Sequence, residues 1–315
     1  MTSIPSVAVI ITAKDAALTC ALAVRSALAQ RPVTEVIFVD DGSRDGTLEV
    51  ARSADDGSGR LKPIRLDKNQ GPARGRNLAI EAASADYLCI LDADDFLGER
   101  RIEQMFALGG QGWDLLADEL IFASGPDPST AFERQFDGDY VLPHDLTLSQ
   151  FAIGNLPRKD RYRRELGFLK PVIRRAFVAQ HGIRYDERLR LGEDLLYYAE
   201  CLLHGAVFRM VETCGYYAVQ SPHSLSAQHR AGDIAALLTA LEEFEARGAR
   251  DGLDIGLTPR YTENVRRNLA LRCALDRKRE GGWRGFATAL REHPASARFV
   301  VRHLVWAKLQ TALGR

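Results

Sequence analysis

Three carboxylates fall within four residues at Asp92-Ala93-Asp94-Asp95, directly after the apolar run Tyr87-Leu88-Cys89-Ile90-Leu91. Residues two apart on an extended chain share a face, so Asp92 and Asp94 point the same way if the strand continues. Two carboxylates on one side require a cation. A hard divalent ion, Mg²⁺ or Mn²⁺, takes oxygen ligands and keeps positions open for phosphate. Taken alone, the triplet also reads as a surface turn; its place at a strand end favours the ion. A second pair, Asp40-Asp41-Gly42-Ser43, follows another apolar run. A carboxylate there accepts from an imide N–H or a sugar hydroxyl, or it caps the next helix. A third element is Asn69-Gln70-Gly71-Pro72-Ala73-Arg74-Gly75-Arg76-Asn77. Its glycines permit close backbone approach and its arginines match a diphosphate; the plain alternative is a Gly-Pro turn with solvated arginines. His223, in the polar run 220–226, is either a third metal or diphosphate contact or a surface residue.

These groups need a scaffold that gathers them. The runs 7–11, 35–39, 64–66 and 87–91 read as buried strands, and the segments 16–29, 48–51 and 73–83 as helices between them. Asp45 or Ser43 is placed to cap the second helix. That βαβαβαβ rhythm predicts an α/β fold with a doubly wound, mainly parallel sheet and helices on both faces. Ligands of such sheets bind outside the carboxyl ends of the strands. Three of the four strand ends carry unusual polar residues: 12–15, 40–41 and 92–95. Residues 124–165 read as irregular, 166–220 as ordered again, and 233–247 as a helix. No GxGxxG follows the first strand and no GxxxxGK[ST] exists, which excludes the dinucleotide-binding and P-loop readings. A nucleotidyltransferase needs a Gly-rich basic loop after the first strand, and Thr12 to Asp15 is not one.

The 315 residues carry 42 basic and 42 acidic side chains. That balance excludes a disordered polyelectrolyte and a wholly basic nucleic-acid binder. It also conceals an asymmetry, since 255–315 holds 13 basic residues against 4 acidic ones. With Leu304, Val305 and Trp306 among them, this segment reads as a helical basic extension that meets either a membrane surface or a partner. Five widely spaced cysteines without a CxxC pair argue against disulfides or zinc and fit a reducing compartment. Cys89, Trp113, Tyr197 and Tyr198 are expected in the core, although the aromatics also suit sugar stacking. The N-terminus has no signal-peptide pattern, and no stretch is long enough to span a bilayer. The expected location is cytoplasmic, with peripheral contact at the inner face of the cytoplasmic membrane.

Four motifs in order, Ile10-Ile11-Thr12-Ala13-Lys14-Asp15, Val39-Asp40-Asp41-Gly42-Ser43, the 69–77 element and Leu91-Asp92-Ala93-Asp94-Asp95, resemble glycosyltransferase family 2. Gly167-Phe168-Leu169-Lys170-Pro171, Tyr185-Asp186-Glu187 and Gly192-Glu193-Asp194-Leu195 look like its acceptor-side half. With the tract 54–61, they are similar to succinoglycan-type exopolysaccharide glucosyltransferases. The resemblance covers about residues 5–225. It implies a GT-A domain over 1–230, with a nucleotide-binding half at 1–100 and an acceptor half at 101–230; the extension is 231–315. It further implies an inverting, metal-dependent hexosyltransferase. The donor would be a nucleotide diphosphate sugar, UDP-glucose or another UDP-hexose, and the acceptor a glycan or lipid-linked oligosaccharide.

Position by position, the resemblance assigns Thr12, Lys14, Asp40 or Asp41 and Gly71 to the nucleotide. Arg74 or Arg76 goes to ribose or diphosphate, Asp92 to the ribose or sugar, and Asp94 to the metal; His223, read from its polar loop, is the candidate further ligand. Lys170 and Glu193 support the acceptor side, and Asp194 is the general base. The family's usual aromatic or Asn near Lys14 is missing here. Without the resemblance, Glu193 and Asp194 read as acids at the start of a helix, where the macrodipole favours them. A noncatalytic nucleotide-sugar or polysaccharide-binding subunit is the other reading of this fold; it predicts that Asp94 or Asp194 is misplaced or unused.

Overall fold

The computed structural model describes residues 5–136, 138–157, 165–220 and 230–312, with side chains up to 305. The chain divides into two compact units, Met1–Ser224 and Leu225–Arg315.

The first unit opens with β1 (Val7–Ala13), α1 (Cys20–Leu28), β2 (Val33–Asp40), α2 (Thr47–Ser53), β3 (Leu61–Arg65), α3 (Pro72–Ala82) and β4 (Tyr87–Asp92). The order β3-β2-β1-β4 is parallel throughout. The apolar runs of β1, β2 and β4 are buried because helices cover both faces. β3 lies at the sheet edge, where Pro63 is tolerated. One face of the sheet packs Val9, Ile11, Phe38 and Cys89 with Ala23, Val24 and Ala27 of α1. α3 packs against β1 and β2.

The chain continues through β5 (Phe96–Leu97), α4 (Arg101–Gly109), β6 (Leu115–Ala123), β7 (Ala131–Arg134), β8 (His144–Leu146), α5 (Leu148–Gly154), β9 (Val172–Arg174), α6 (Arg175–Gln180), α7 (Glu193–Leu203) and β10 (Phe208–Val219). The expected α/β sheet is present, with its parallel pairing concentrated in the first four strands. Beyond β4 the sheet is mixed. β9 pairs antiparallel with both β4 and β6, while β6 and β10 run parallel. β9 thus brings the backbone just after Lys170 beside β4. Segment 124–165, expected to be irregular, contains β7, β8 and α5; α5 starts with a capping box between Thr147 and Gln150.

The second unit holds α8 (Ala231–Arg250), α9 (Thr258–Glu292) and α10 (Ala297–Ala312). α8 packs on α9, with Leu237, Leu241 and Phe244 buried. α9 breaks at Gly281 and Gly282, whose backbone is non-helical. Ala270, Ala274, Phe286, Ala289 and Val300 form the core between its two parts and α10. Among the described residues no helix is long and apolar enough to cross a membrane.

Candidate active site

The ends of β1, β2 and β4 lie side by side: Thr12 pairs with Asp92, and Ala13 with Asp40. At the end of β2 the two aspartates have different surroundings. Asp41 accepts from the backbone N–H groups of Gln70 (2.6 Å) and Gly71 (2.7 Å), so both its oxygens pin the loop that leads into α3. Asp40 accepts from Ser43 N–H through Oδ1 at 2.9 Å. Its Oδ2 is buried without a hydrogen-bond partner, and Arg65 stands 3.9 Å away. An unsatisfied buried carboxylate oxygen is costly and marks a place where a donor from outside fits. Gly42, at φ +70, packs so closely that a Cβ would lie 2.7 Å from the Lys68 carbonyl carbon.

Lys14 donates to Gly42 O at 2.9 Å and lies 2.8 Å from Asp15. Thr12 is half-buried, close against Gly75 of α3. Asp45 accepts from Thr47 N–H and from Ala17 N–H, tying the start of α2 to the loop after β1. The N-cap position itself is Gly46, which has no side chain to cap with.

The second group forms where α3, β4, the segment before β9 and α7 converge. Arg76, on the buried side of α3, reaches Asp92 (3.1 Å), Glu193 (2.7 Å) and Asp194 (3.1 Å). Lys170 Nζ lies 2.8 Å from Asp92 Oδ2 and 2.9 Å from Asp194 Oδ2. Three carboxylates therefore surround two cations. Desolvation works against the charge of each, but the pairing prevails. Asp194 and Glu193 hold the Arg76 guanidinium well above its ordinary value, and Asp194 with Asp92 raises the Lys170 ammonium. Lys170 and Arg76 in turn keep the Asp92 carboxyl below the usual range. Asp194 Oδ1, although near Arg76, accepts no hydrogen bond and is buried. Both acids occupy the first turn of α7, as the macrodipole favours.

Asp95 is a different case. Burial, Asp94 and Asp92 push its carboxyl well above the ordinary range. It accepts from Tyr216 O–H (2.8 Å) and Val219 N–H (2.8 Å), while the same phenol oxygen, Tyr216 Oη, accepts from Asp92 N–H at 3.2 Å. Tyr216 so fixes the turn that carries the triplet. Asp94 is exposed on that turn. Among the described residues no three His, Cys, Asp or Glu side chains gather as a metal site. His223 lies outside the described residues.

Five of the expected residues thus come together: Arg76, Asp92, Lys170, Glu193 and Asp194. Arg76, expected at ribose or diphosphate, sits within this cluster at 5% side-chain exposure, and Arg74 pairs with Glu187 at 3.2 Å. The space beside Gly71, expected to admit a diphosphate, holds the guanidinium of Arg190. Cys89, Trp113, Tyr197 and Tyr198 are buried in the core. Sequence reading missed Arg190 and Tyr216 and placed Glu187 in the acceptor-side motif without a role; all three act across 100 residues or more.

Residues 8–150 match the family model described as glycosyl transferase family 2. The chain is 43% identical over 292 residues to the succinoglycan biosynthesis protein ExoU of Rhizobium meliloti (strain 1021), covering 92% of this chain and 84% of that protein. It is 31% identical to ExoO of the same strain, over 96% of this chain and 84% of that protein. Among solved structures, Staphylococcus aureus TarS 1-349 in complex with UDP-GlcNAc superposes with a TM-score of 0.58 at 16% identity, covering 92% of each chain. The mannosyltransferase PcManGT from Pyrobaculum calidifontis, in complex with GDP-Man and Mn²⁺, gives a TM-score of 0.56 at 17% identity, covering 99% of this chain and 81% of that one.

Proposed function

The chain belongs to glycosyltransferase family 2 and has the GT-A fold, and from that premise we propose that it is an inverting hexosyltransferase of exopolysaccharide biosynthesis. The donor is a nucleoside diphosphate hexose, UDP-glucose or a related UDP-hexose. The acceptor is a hydroxyl of a glycan, carried on a lipid. The likeness to two succinoglycan biosynthesis proteins along nearly the whole chain supports the pathway class.

The observation that carries the reading is Asp194 Oδ1: buried, without a hydrogen-bond partner, and held beside Asp92 at the donor strand ends by Arg76 and Lys170. In inversion the acceptor hydroxyl attacks the anomeric carbon from the face opposite the leaving diphosphate. The hydroxyl is a weak nucleophile at neutral pH. Asp194 takes its proton at Oδ1 as the new bond forms, which contributes about 10²–10⁴-fold. Lys170 holds the other oxygen, Oδ2, at 2.9 Å, and Arg76 lies 3.1 Å from Oδ1 without a hydrogen bond to it; Glu193 completes the charge balance around Arg76. No enzyme nucleophile is needed.

On the donor side, Asp40 Oδ2 accepts from the base, and Thr12, Lys14 and Gly71 line the nucleotide. Asp41 contributes by holding the 69–71 loop rather than by touching the ligand, because both its oxygens are engaged. Asp92, although Arg76 and Lys170 engage its oxygens, keeps 32% side-chain exposure and faces the ribose or sugar. The donor set also fits a divalent metal. Asp94 offers one exposed carboxylate, and Mg²⁺ or Mn²⁺ is commonly held by one or two carboxylates plus substrate phosphates. Asp94 would hold it, with His223 a second ligand. When bound, such an ion stabilises charge developing on the leaving diphosphate.

The basic second unit fits an anionic membrane surface, at which a lipid-linked acceptor is presented. A thermal-shift panel of nucleotide sugars, with and without Mn²⁺, tests the donor reading. Binding at 100 times Kd adds about 2.7 kcal/mol of stability, so the preferred donor raises Tm by several degrees, and more so with Mn²⁺. A panel in which no nucleotide sugar moves Tm overturns the reading.

A further inference from the structure

At the strand ends where the donor binds, most cations already face carboxylates. Lys14 lies 2.8 Å from Asp15, Arg74 pairs with Glu187, and Arg76 is enclosed by three acids. Each is at least partly neutralised before a diphosphate arrives. Arg190 is different. It is exposed, and among the described residues it pairs with no carboxylate. Among the described residues its polar contact is one hydrogen bond, from Nη1 to the neutral amide oxygen of Asn69, at 3.2 Å.

Its location is well defined. The guanidinium lies so close to Gly71 that a Cβ there would sit 1.7 Å from Nη1. Gly71, at φ +95, belongs to the loop that Asp41 fastens to the end of β2. Arg190 is therefore held at the carboxyl edge of the parallel strands, where open α/β sheets take their ligands. It arrives there from the acceptor-side segment, two residues before the N-cap of α7 and four before Asp194.

We propose that Arg190 is a further donor-binding residue, whose planar guanidinium takes the diphosphate of the nucleotide sugar. A planar fork of N–H donors matches phosphate oxygens bidentately. A guanidinium paired only with a neutral amide gives up little to make that contact. The inference rests on the donor reading above and deepens it. It makes the segment bearing the base responsive to the diphosphate, because Arg190 and Asp194 share one short stretch of chain.

The test is calorimetric titration of the wild-type chain and Arg190→Gln with UDP, UMP and uridine, or with the GDP series if the thermal-shift panel selects a GDP-sugar. The expected result is a roughly 10-fold to 100-fold loss of affinity for the diphosphate, with nucleoside affinity within about twofold of wild type. Unchanged diphosphate affinity overturns the assignment. So does an equal loss for diphosphate and nucleoside, which would mean that Arg190 only supports the loop. Arg190→Lys keeps the charge and loses the fork. It serves as the second variant if Arg190→Gln fails to fold, and the same comparison of diphosphate with nucleoside affinity decides. A wild-type chain that binds no member of either series overturns the donor reading itself, and the two failures are thereby told apart.

Discussion

The ammonium of Lys170 bridges Asp92 and Asp194, 2.8 Å from one carboxylate and 2.9 Å from the other. Asp92 ends β4 and Asp194 begins α7. A single nitrogen therefore sets the spacing between the donor-side strand and the proposed base. Arg76 repeats the link from α3, touching the same two acids.

Removing that nitrogen leaves three carboxylates, Asp92, Glu193 and Asp194, around one remaining cation in a largely buried place. Breaking a buried pair from one side costs about 3–5 kcal/mol. Lys170→Met is expected to lower unfolding free energy by roughly that amount, read from urea unfolding, and to lower turnover along with it. A variant as stable as wild type would show that Arg76 alone holds the cluster.

Asp194→Asn keeps the shape of the side chain and removes its basicity. Turnover is expected to fall by about 10²–10⁴-fold, while calorimetric affinity for the nucleotide sugar stays close to wild type. Near wild-type turnover would sink the base assignment. The exchange also removes one acid from around Arg76 and Lys170, so the unfolding midpoint must be measured alongside.

Asp94→Ala removes the carboxylate assigned to the metal. Wild-type affinity for the nucleoside diphosphate is expected to drop when EDTA is added, and the variant is expected to show the lower affinity with or without chelator. Equal affinity in all four conditions would remove the metal from donor binding.

Much of this arrangement was legible in the sequence because it is local. Continuous apolar runs gave the buried strands, and acids placed directly after them marked the ligand-facing edge. The division of labour between Asp40 and Asp41 was not legible. Both are the same residue type on adjacent positions, and only the docking of the 69–71 loop decides which carboxylate is occupied. Arg76 drew a diphosphate role from its motif, yet its partners Glu193 and Asp194 lie 117 and 118 positions away. The segment 124–165 looked irregular because strands as short as β7 and β8, at four and three residues, carry too few positions to show a period.

Glu35 gives a pH-dependent test away from the site. Desolvation alone would raise its carboxyl, but Lys62 and the backbone and hydroxyl of Ser84 overcome it and lower the value from 4.5 to about 2. A carboxylate depressed on folding contributes stability above its unfolded value and loses it as pH falls through the folded one. The contribution, about 3 kcal/mol, is full above roughly pH 4.5 and gone near pH 2. Glu35→Gln is expected to destabilise at pH 7 and to converge with wild type by pH 2. Parallel stability curves across that range would contradict the assignment.

The membrane reading calls for a sharper variant than truncation. Deleting residues 255–315 would strip α9 from α8 and expose Leu237, Leu241 and Phe244, so any loss of binding could reflect unfolding. The break at Gly281 and Gly282 offers a better target. Trp283 follows it at 66% exposure, with the ammonium of Lys278 4.3 Å from its ring centroid. Arg279 and Arg284 flank it, both exposed. An amphipathic ring beside basic side chains suits the headgroup layer, where each cation near an anionic surface contributes about 1 kcal/mol. Trp283→Ala combined with Arg279→Gln and Arg284→Gln is expected to reduce cosedimentation with vesicles containing phosphatidylglycerol by roughly 10-fold or more, without lowering Tm. Wild-type binding should also weaken in high salt and be slight on phosphatidylcholine alone, because the attraction is screened within a Debye length. If the triple variant sediments like wild type, this turn is not the contact.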